Sequence, residues 1–216
     1  MSNPKPAPIA LEDRVAEAAR LSSPSAARNK ALIAQALAAL LPISARVLEI
    51  ASGTGEHALA CVEARPDLVW TPSDPDAASR ASAEAWAQEA DGRILPCRDI
   101  DVIAPGWADD LTPVDALFCA NMVHIAPWSA AEGLFTGAAA LLGQGGAVHL
   151  YGPFLLGAQS APSNLQFDAD LKRRDPRWGV RERADIEELA TRSGFEPAGA
   201  VEMPANNFLL SFRKRT

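Results

Sequence analysis

"VLEIASGTGEHA", residues 47–58, passes from an apolar run into a glycine-bearing turn and then into the start of a helix. "ARVLEIA" is short and rich in branched apolar residues, the pattern of a strand covered on both faces. "GEHALACVEAR" then reads as a helix that ends before Pro66. The unit is strand, Gly-turn, helix. In an open α/β sheet such a turn lies beyond the carboxyl ends of the strands, where ligands bind, and Gly53 and Gly55 let the backbone approach a ligand closely. Asp74 follows Gly55 by 19 residues, at the end of the next expected strand. There a carboxylate commonly accepts hydrogen bonds from a ribose diol, so the pairing predicts a nucleoside-containing cofactor.

Outward from the turn, strands and helices alternate. Before it, "SPSAARNKALIAQALAALL" predicts a helix from near Ser25, with Leu32, Ala36, Leu37, Leu40 and Leu41 on one face and Pro42 as its stop. After it come "LVWTPSD" as strand, "PDAASRASAEAWAQEA" as helix, "RILPCRDIDV" as strand and "VDALFCANMVH" as strand. "SAAEGLFTGAAALLG" follows as helix and "GAVHLYGPF" as strand. Such alternation implies a parallel sheet with helices on both faces. Residues 155–180 read as a polar loop, followed by a helix "RADIEELATRSG" and two strands, "PAGAVEMP" and "NFLLSFRKR". Their tight "ANN" connection predicts an antiparallel pair at the sheet edge. The expected fold is α/β and Rossmann-like, with a mostly parallel seven-stranded sheet. Residues 1–22 are expected to be a partly disordered extension and 23–216 a single domain.

Composition narrows the partners. The chain has 216 residues, 48% of them hydrophobic, enough for one sizeable core. A formal charge of -7 argues against nucleic acid or an anionic membrane as partner, since polyanion binding draws on a basic surface. The one basic cluster, "LKRRDPRWGVRER", is interleaved with Asp170, Asp175 and Glu182 and reads as a charged surface or substrate lid. Cys61, Cys97 and Cys119 are odd in number and lack C-x-x-C spacing, which predicts reduced, buried thiols and no metal ligand set. The N-terminus lacks a signal-type apolar core, and the longest apolar run is too short to span a bilayer. A cytoplasmic protein is expected.

"GTGEHA" also fits the loose dinucleotide form G-x-G-x-x-A, a weak match by itself. A helix before the first strand, an acid (Glu49) inside the strand end and the lack of room for a separate substrate domain favour S-adenosylmethionine (SAM) instead. SAM carries a ribose but no pyrophosphate, and its amino acid end needs partners for both charges; Glu49 faces the ammonium, directly or through water, and the turn from Ser52 through Gly53 and Thr54 to Gly55 offers N–H groups. Residues 49–55 resemble motif I of class I SAM-dependent methyltransferases, acid-x-Gly-x-Gly-x-Gly, with Ala51 in place of the first glycine. "SPSAARNK", "SDPD", "FCANMVHIAPW", "LYGPF", "PSN", "DPRWGVR" and "VEMPANN" extend the resemblance along nearly the whole chain from Ser23. On these stretches the chain is identified as a member of the domain of unknown function 938 family, which includes the methyltransferase-like 26 proteins. The resemblance implies Asp74 at the ribose hydroxyls, Asp101 with Val102 at the adenine, and Asn121 near the methionine portion. Asp99 competes with Asp101, because "RDID" alternates and one of the two faces the pocket.

Around this core stand residues with two readings. His124 follows the fourth strand, where an imidazole accepts a proton from an O–H or N–H nucleophile or hydrogen-bonds a loop carbonyl. Tyr151, the one tyrosine, offers a ring wall and a hydroxyl or packs the core. Arg28 and Asn29 fold over the cofactor or form a solvated helix face. His57 reads as an ordinary helix residue or a lining contact, and His149 as structural. "NMVH" stands where Asn-Pro-Pro-Tyr would mark adenine and glutamine methylation, and no Pro-Cys nucleophile is present. The expected activity is SAM-dependent methyl transfer to a small molecule. A nicotinamide-dependent oxidoreductase and a non-catalytic SAM-binding protein are the rival readings.

Overall fold

The computed structural model describes residues 14–215. Of the extension expected over residues 1–22, residues 1–13 lie outside them. A small antiparallel hairpin comes first, β1 (Val15–Glu17) and β2 (Arg20–Ser22). Helix α1 (Pro24–Leu40) starts behind Ser23 as N-cap, with Pro24 at a position where its missing N–H costs nothing. Then follow β3 (Arg46–Ile50), α2 (Glu56–Ala64), β4 (Val69–Ser73), α3 (Ala77–Ala87) and β5 (Val114–Ala120). The chain continues through α4 (Trp128–Leu141), β6 (Leu142–Pro153), α5 (Pro162–Arg174), α6 (Arg183–Arg192), β7 (Phe195–Met203) and β8 (Asn207–Lys214).

The main sheet runs β4-β3-β5-β6-β8-β7. Its first four strands are parallel, and β8 pairs antiparallel with both β6 and β7. From β3 the chain moves outward to β4 and then returns to the other side of β3 as β5. The crevice at that reversal is where ligands of open α/β sheets bind. One apolar layer lies between the sheet and α1 and α2, the other between the sheet and α4 and α6.

The sheet has six continuous strands where the sequence predicts seven. Residues 93–98 do line β4, with Leu95 N–H donating to Trp70 O at 2.8 Å and Arg98 N–H to Pro72 O at 2.9 Å. After Trp70 N–H gives to Arg93 O, the next donor in line on β4 is Pro72, which has no N–H, so the pairing survives only as bridges at Ile94 and Arg98. The 155–180 loop contains α5, which buries only Asn164 and Leu171 and is laced by polar i,i+4 pairs such as Lys172–Asp168. So little burial leaves no apolar stripe to read. In α1 the buried face is Ala26, Ile33, Ala34 and Leu37, whereas Leu32 and Leu40 are about 40% exposed. "ALIAQALAALL" is apolar nearly all round, so its stripe could not be placed. Part of the expected extension is ordered as the β1–β2 hairpin. Of the three thiols, Cys61 and Cys119 are buried and Cys97 is only partly so. The "ANN" connection holds Ala205 and Asn206 both at φ 57°, as a tight hairpin turn requires.

Candidate functional site

β3 ends at Ile50 and the backbone swings left-handed at Ala51, φ 56°. Ser52 then fastens the turn to β4: its N–H donates to Ser73 O at 2.8 Å and its hydroxyl accepts from Ser73 N–H at 3.0 Å. The two glycines serve different ends. At Gly53, φ 58°, an added Cβ would meet only an Arg14 guanidinium nitrogen at 3.8 Å, so this side of the turn is open to a ligand. At Gly55, φ 86°, the added Cβ would stand 2.5 Å from Ala83 Cα, so α2 and α3 meet backbone to backbone. The Ser82 hydroxyl donates to Thr54 O at 2.7 Å and completes that contact.

Asp74 faces the turn. Its Oδ2 accepts from Gly53 N–H and its Oδ1 from Asp76 N–H, each at 2.9 Å. Each oxygen keeps a further lone pair, so the carboxylate is held ready for two more donors. Burial raises its pKa against those two amides, which lower it. Arg80 donates to Asp74 O at 2.9 Å and pairs with Asp99 at 3.2 Å. Asp101 Oδ1 accepts from Ile103 N–H at 3.0 Å, and Val102 is buried beside Gly133 of α4.

Glu49 is fully buried on the α2 side of the sheet. Oε2 accepts from Trp70 Nε1 at 2.9 Å, while Oε1 has no hydrogen-bond partner. Burial pushes its pKa up to about 7, against the lowering effect of Trp70 and Ser52. The His57 imidazole places Nδ1 3.9 Å from Oε1, and burial lowers its pKa to about 4. His57 Nε2 lies 2.9 Å from Asn29 Oδ1, so the ring proton sits there and Nδ1 is bare. Asn29 also hydrogen-bonds the Tyr151 hydroxyl, whose pKa is raised by burial and lowered by Asn29 and the charge of Arg28. One polar thread thus runs from β3 through α2 and α1 to the end of β6.

The carboxyl ends of β5 and β6 lie beside the turn. Asn121, φ 62°, donates its N–H to Tyr151 O at 2.8 Å. His124 follows in a short 3-10 turn and is fully buried. Its Nδ1 accepts from Arg181 N–H at 3.2 Å, its backbone oxygen takes Gly179 N–H at 2.9 Å, and its ring meets Phe154 edge-on at 4.9 Å. The imidazole thus clamps residues 179–181 through Nδ1, its Nε2 is buried without a hydrogen-bond partner, and burial lowers its pKa to about 3. His149 Nδ1 pairs with the Ser211 hydroxyl at 2.9 Å, the structural role expected of it.

The structure thus gathers Glu49, Ala51, Ser52, Gly53, Thr54, Gly55 and Asp74 around the turn between β3 and α2, with Asn121 after β5 and Tyr151 on β6 joined to each other, and Asn29 and Arg28 of α1 acting on Tyr151. Sequence reading missed Trp70, Glu56, Arg80, Arg181 and Arg14. An indole on the neighbouring strand β4, or an arginine in an expected extension, carries no local pattern. Glu56 had a signal, an acid in the first turn of a helix. Among the described residues no group of His, Cys, Asp and Glu is placed to hold a metal ion, and no helix is long and apolar enough to cross a membrane. An open cavity of about 420 Å³ lies apart from the glycine turn, lined by Trp128, Leu155, Lys172, Arg181 and Asp185 among others.

Comparison with solved structures agrees with this architecture. An O-methyltransferase family protein from Burkholderia thailandensis superposes with a TM-score of 0.71 at 15% identity, covering 88% of this chain and 58% of that one. CalO1, a methyltransferase in calicheamicin biosynthesis in its SAH-bound form, gives 0.74 at 16%, covering 89% and 54%. An O-methyltransferase family 2 protein from Planctomyces limnophilus DSM 3776, in complex with apigenin, gives 0.72 at 17%, covering 88% and 60%. The chain therefore spans little more than half the length of these structures and shares their methyltransferase fold. A family profile described as protein of unknown function (DUF938) matches residues 20–214, so the chain belongs to the DUF938 family.

Proposed function

We propose that this protein is a SAM-dependent methyltransferase of the methyltransferase-like 26 kind, acting on a small-molecule acceptor. The observation that carries the reading is Asp74, whose two oxygens are oriented by the Gly53 and Asp76 amides with lone pairs to spare for a ribose diol. The open side of Gly53 leaves room for the nucleoside beside Asp74, and Glu49 Oε1, a buried oxygen without a partner, fits the amino acid end. When bound, SAM supplies an electrophilic methyl group on sulfonium. The chain's own contribution is alignment, because the fixed ends of β3, β4, β5 and β6 hold cofactor and acceptor in one crevice. Asn121 lines the methionine portion, and Asp101 with Val102, or Asp99, lines the adenine. Tyr151, held by Asn29 and kept as a phenol by burial, hydrogen-bonds the acceptor. With His124 sealed, no dedicated base is assigned. Neighbours in complex with SAH and with apigenin support small-molecule ligands for this fold.

Calorimetric titration tests this. SAM and S-adenosylhomocysteine (SAH) should bind saturably, Asp74→Ala should weaken both at least about tenfold, and NADH should give no heat. Binding of NADH, or of none of the three, would overturn the assignment.

A further inference from the structure

The β1–β2 hairpin belongs to neither face of the main sheet, yet it is firmly docked. Leu21 N–H donates to the Ser82 hydroxyl at 2.8 Å, and Trp86 Nε1 donates to Leu21 O at 3.0 Å. Arg20 donates to Ala85 O at 3.3 Å, pairs with Glu89 and lies 4.6 Å over the Trp86 ring. Ser23 N–H, at the hairpin's exit, donates to Glu56 Oε2 at 2.9 Å. The anchors are on α2, on α3 and, at Glu89, just past the end of α3; these two helices frame the glycine turn. At the hairpin's entry Arg14 donates to the Ser79 hydroxyl at 3.1 Å, and its other terminal nitrogen lies over the open side of Gly53. Its charge acts on both Asp74 and Asp76, lowering the pKa of each.

We infer that this hairpin is a cofactor clasp: it brings Arg14 across the mouth of the crevice, where the guanidinium holds the Asp74 carboxylate in place for the ribose diol and covers the nucleoside half of the ligand. The chemical setting requires a cation there. Asp74, Asp76 and Asp99 crowd the end of β4, while Arg80 is engaged on the Asp99 side and Lys30 with Glu56 at 3.0 Å. A guanidinium presents a planar fork, so one edge binds Ser79 while the other faces the turn. Because the docking contacts pre-form the hairpin, Arg14 reaches the site with little ordering cost. Arg14 is thus a positioning residue acting through Asp74. The inference rests on the methyltransferase reading for the identity of the nucleoside.

The test uses SAH and 5′-methylthioadenosine, which share the nucleoside and differ in the amino acid end. Calorimetry compares the wild type, Arg14→Ala, Arg14→Lys, Asp74→Asn and the Arg14→Ala/Asp74→Asn double variant. Arg14→Ala should weaken both ligands by the same factor, about tenfold, with the ligand-free melting temperature unchanged, and Arg14→Lys should recover part of the loss. In the Asp74→Asn background the same change should cost less than about twofold, because the charge it acts through is gone. Unchanged affinity in Arg14→Ala, a loss confined to SAH, or full multiplication of the two effects would each overturn the clasp. If the wild type binds neither ligand, the methyltransferase reading falls and takes the clasp with it.

Discussion

Ala51 shows what a single side chain costs when the backbone is dictated from outside. The motif it resembles has glycine there, and the chain adopts φ 56° regardless, because Ser52 is tied to β4 on one side and Ile50 to the sheet on the other. Ala51→Gly should therefore raise stability by about 1 kcal/mol, measured by urea unfolding. Glu49 makes a second test. Its pKa lies at about 7 against an ordinary 4.5, so between those values the folded protein holds a proton that the unfolded chain has released. Stability falls as pH rises through that window, and above it the penalty is complete, about 3 kcal/mol. Glu49→Gln keeps an acceptor for Trp70 and removes the titration. Its advantage over the wild type should widen from about pH 5 to about pH 8, and parallel stability curves would refute the assignment. The type and spacing of these residues were legible in the sequence. Their burial was not, since the indole that closes over Glu49 comes from another strand.

At the scale of elements, the helix–turn junctions decide the site. Glu56 is buried at the start of α2 and accepts from Ser23 N–H, the Thr54 hydroxyl at 3.1 Å and Lys30 at 3.0 Å. It hooks the start of α1 to the glycine turn. Glu56→Ala leaves three donors without their acceptor and should cost about 3 kcal/mol by thermal unfolding, with weaker SAH binding as the turn loosens. Elements with one covered face or two were readable: β3, β5, β6, α2 and α4 stand where their patterns placed them. Those held by polar contacts were not. The β1–β2 hairpin depends on Ser82, Trp86 and Glu89, which lie some 60 residues onward, and α5 buries too little to show a period. Residues 93–98 keep their place beside β4 but lose continuity to one proline.

The whole molecule is a sheet with two unlike margins. Residues 93–98 partly cover β4, whereas β7 forms the other edge. Pro197 and Gly199 shift the β7–β8 register there, and Glu196 and Glu202 place charges along the strand. Prolines, kinks and charges on an edge strand discourage pairing with another copy. A Pro197→Val/Gly199→Val variant should refold with increased light scattering at equal concentration, and scattering at the wild-type level would show that the edge is protected otherwise. The strand order carries a further consequence. β8 is made after β7 but lies inside it, between β7 and β6. During synthesis the flank of β6 therefore stays bare until the pair emerges, and β7 has no place to dock alone. The hairpin must zip locally and join in one step, delivering Leu209, Leu210 and Phe212 to both cores at once. A nascent chain paused before that point presents an open sheet flank, the kind of surface that chaperones recognise.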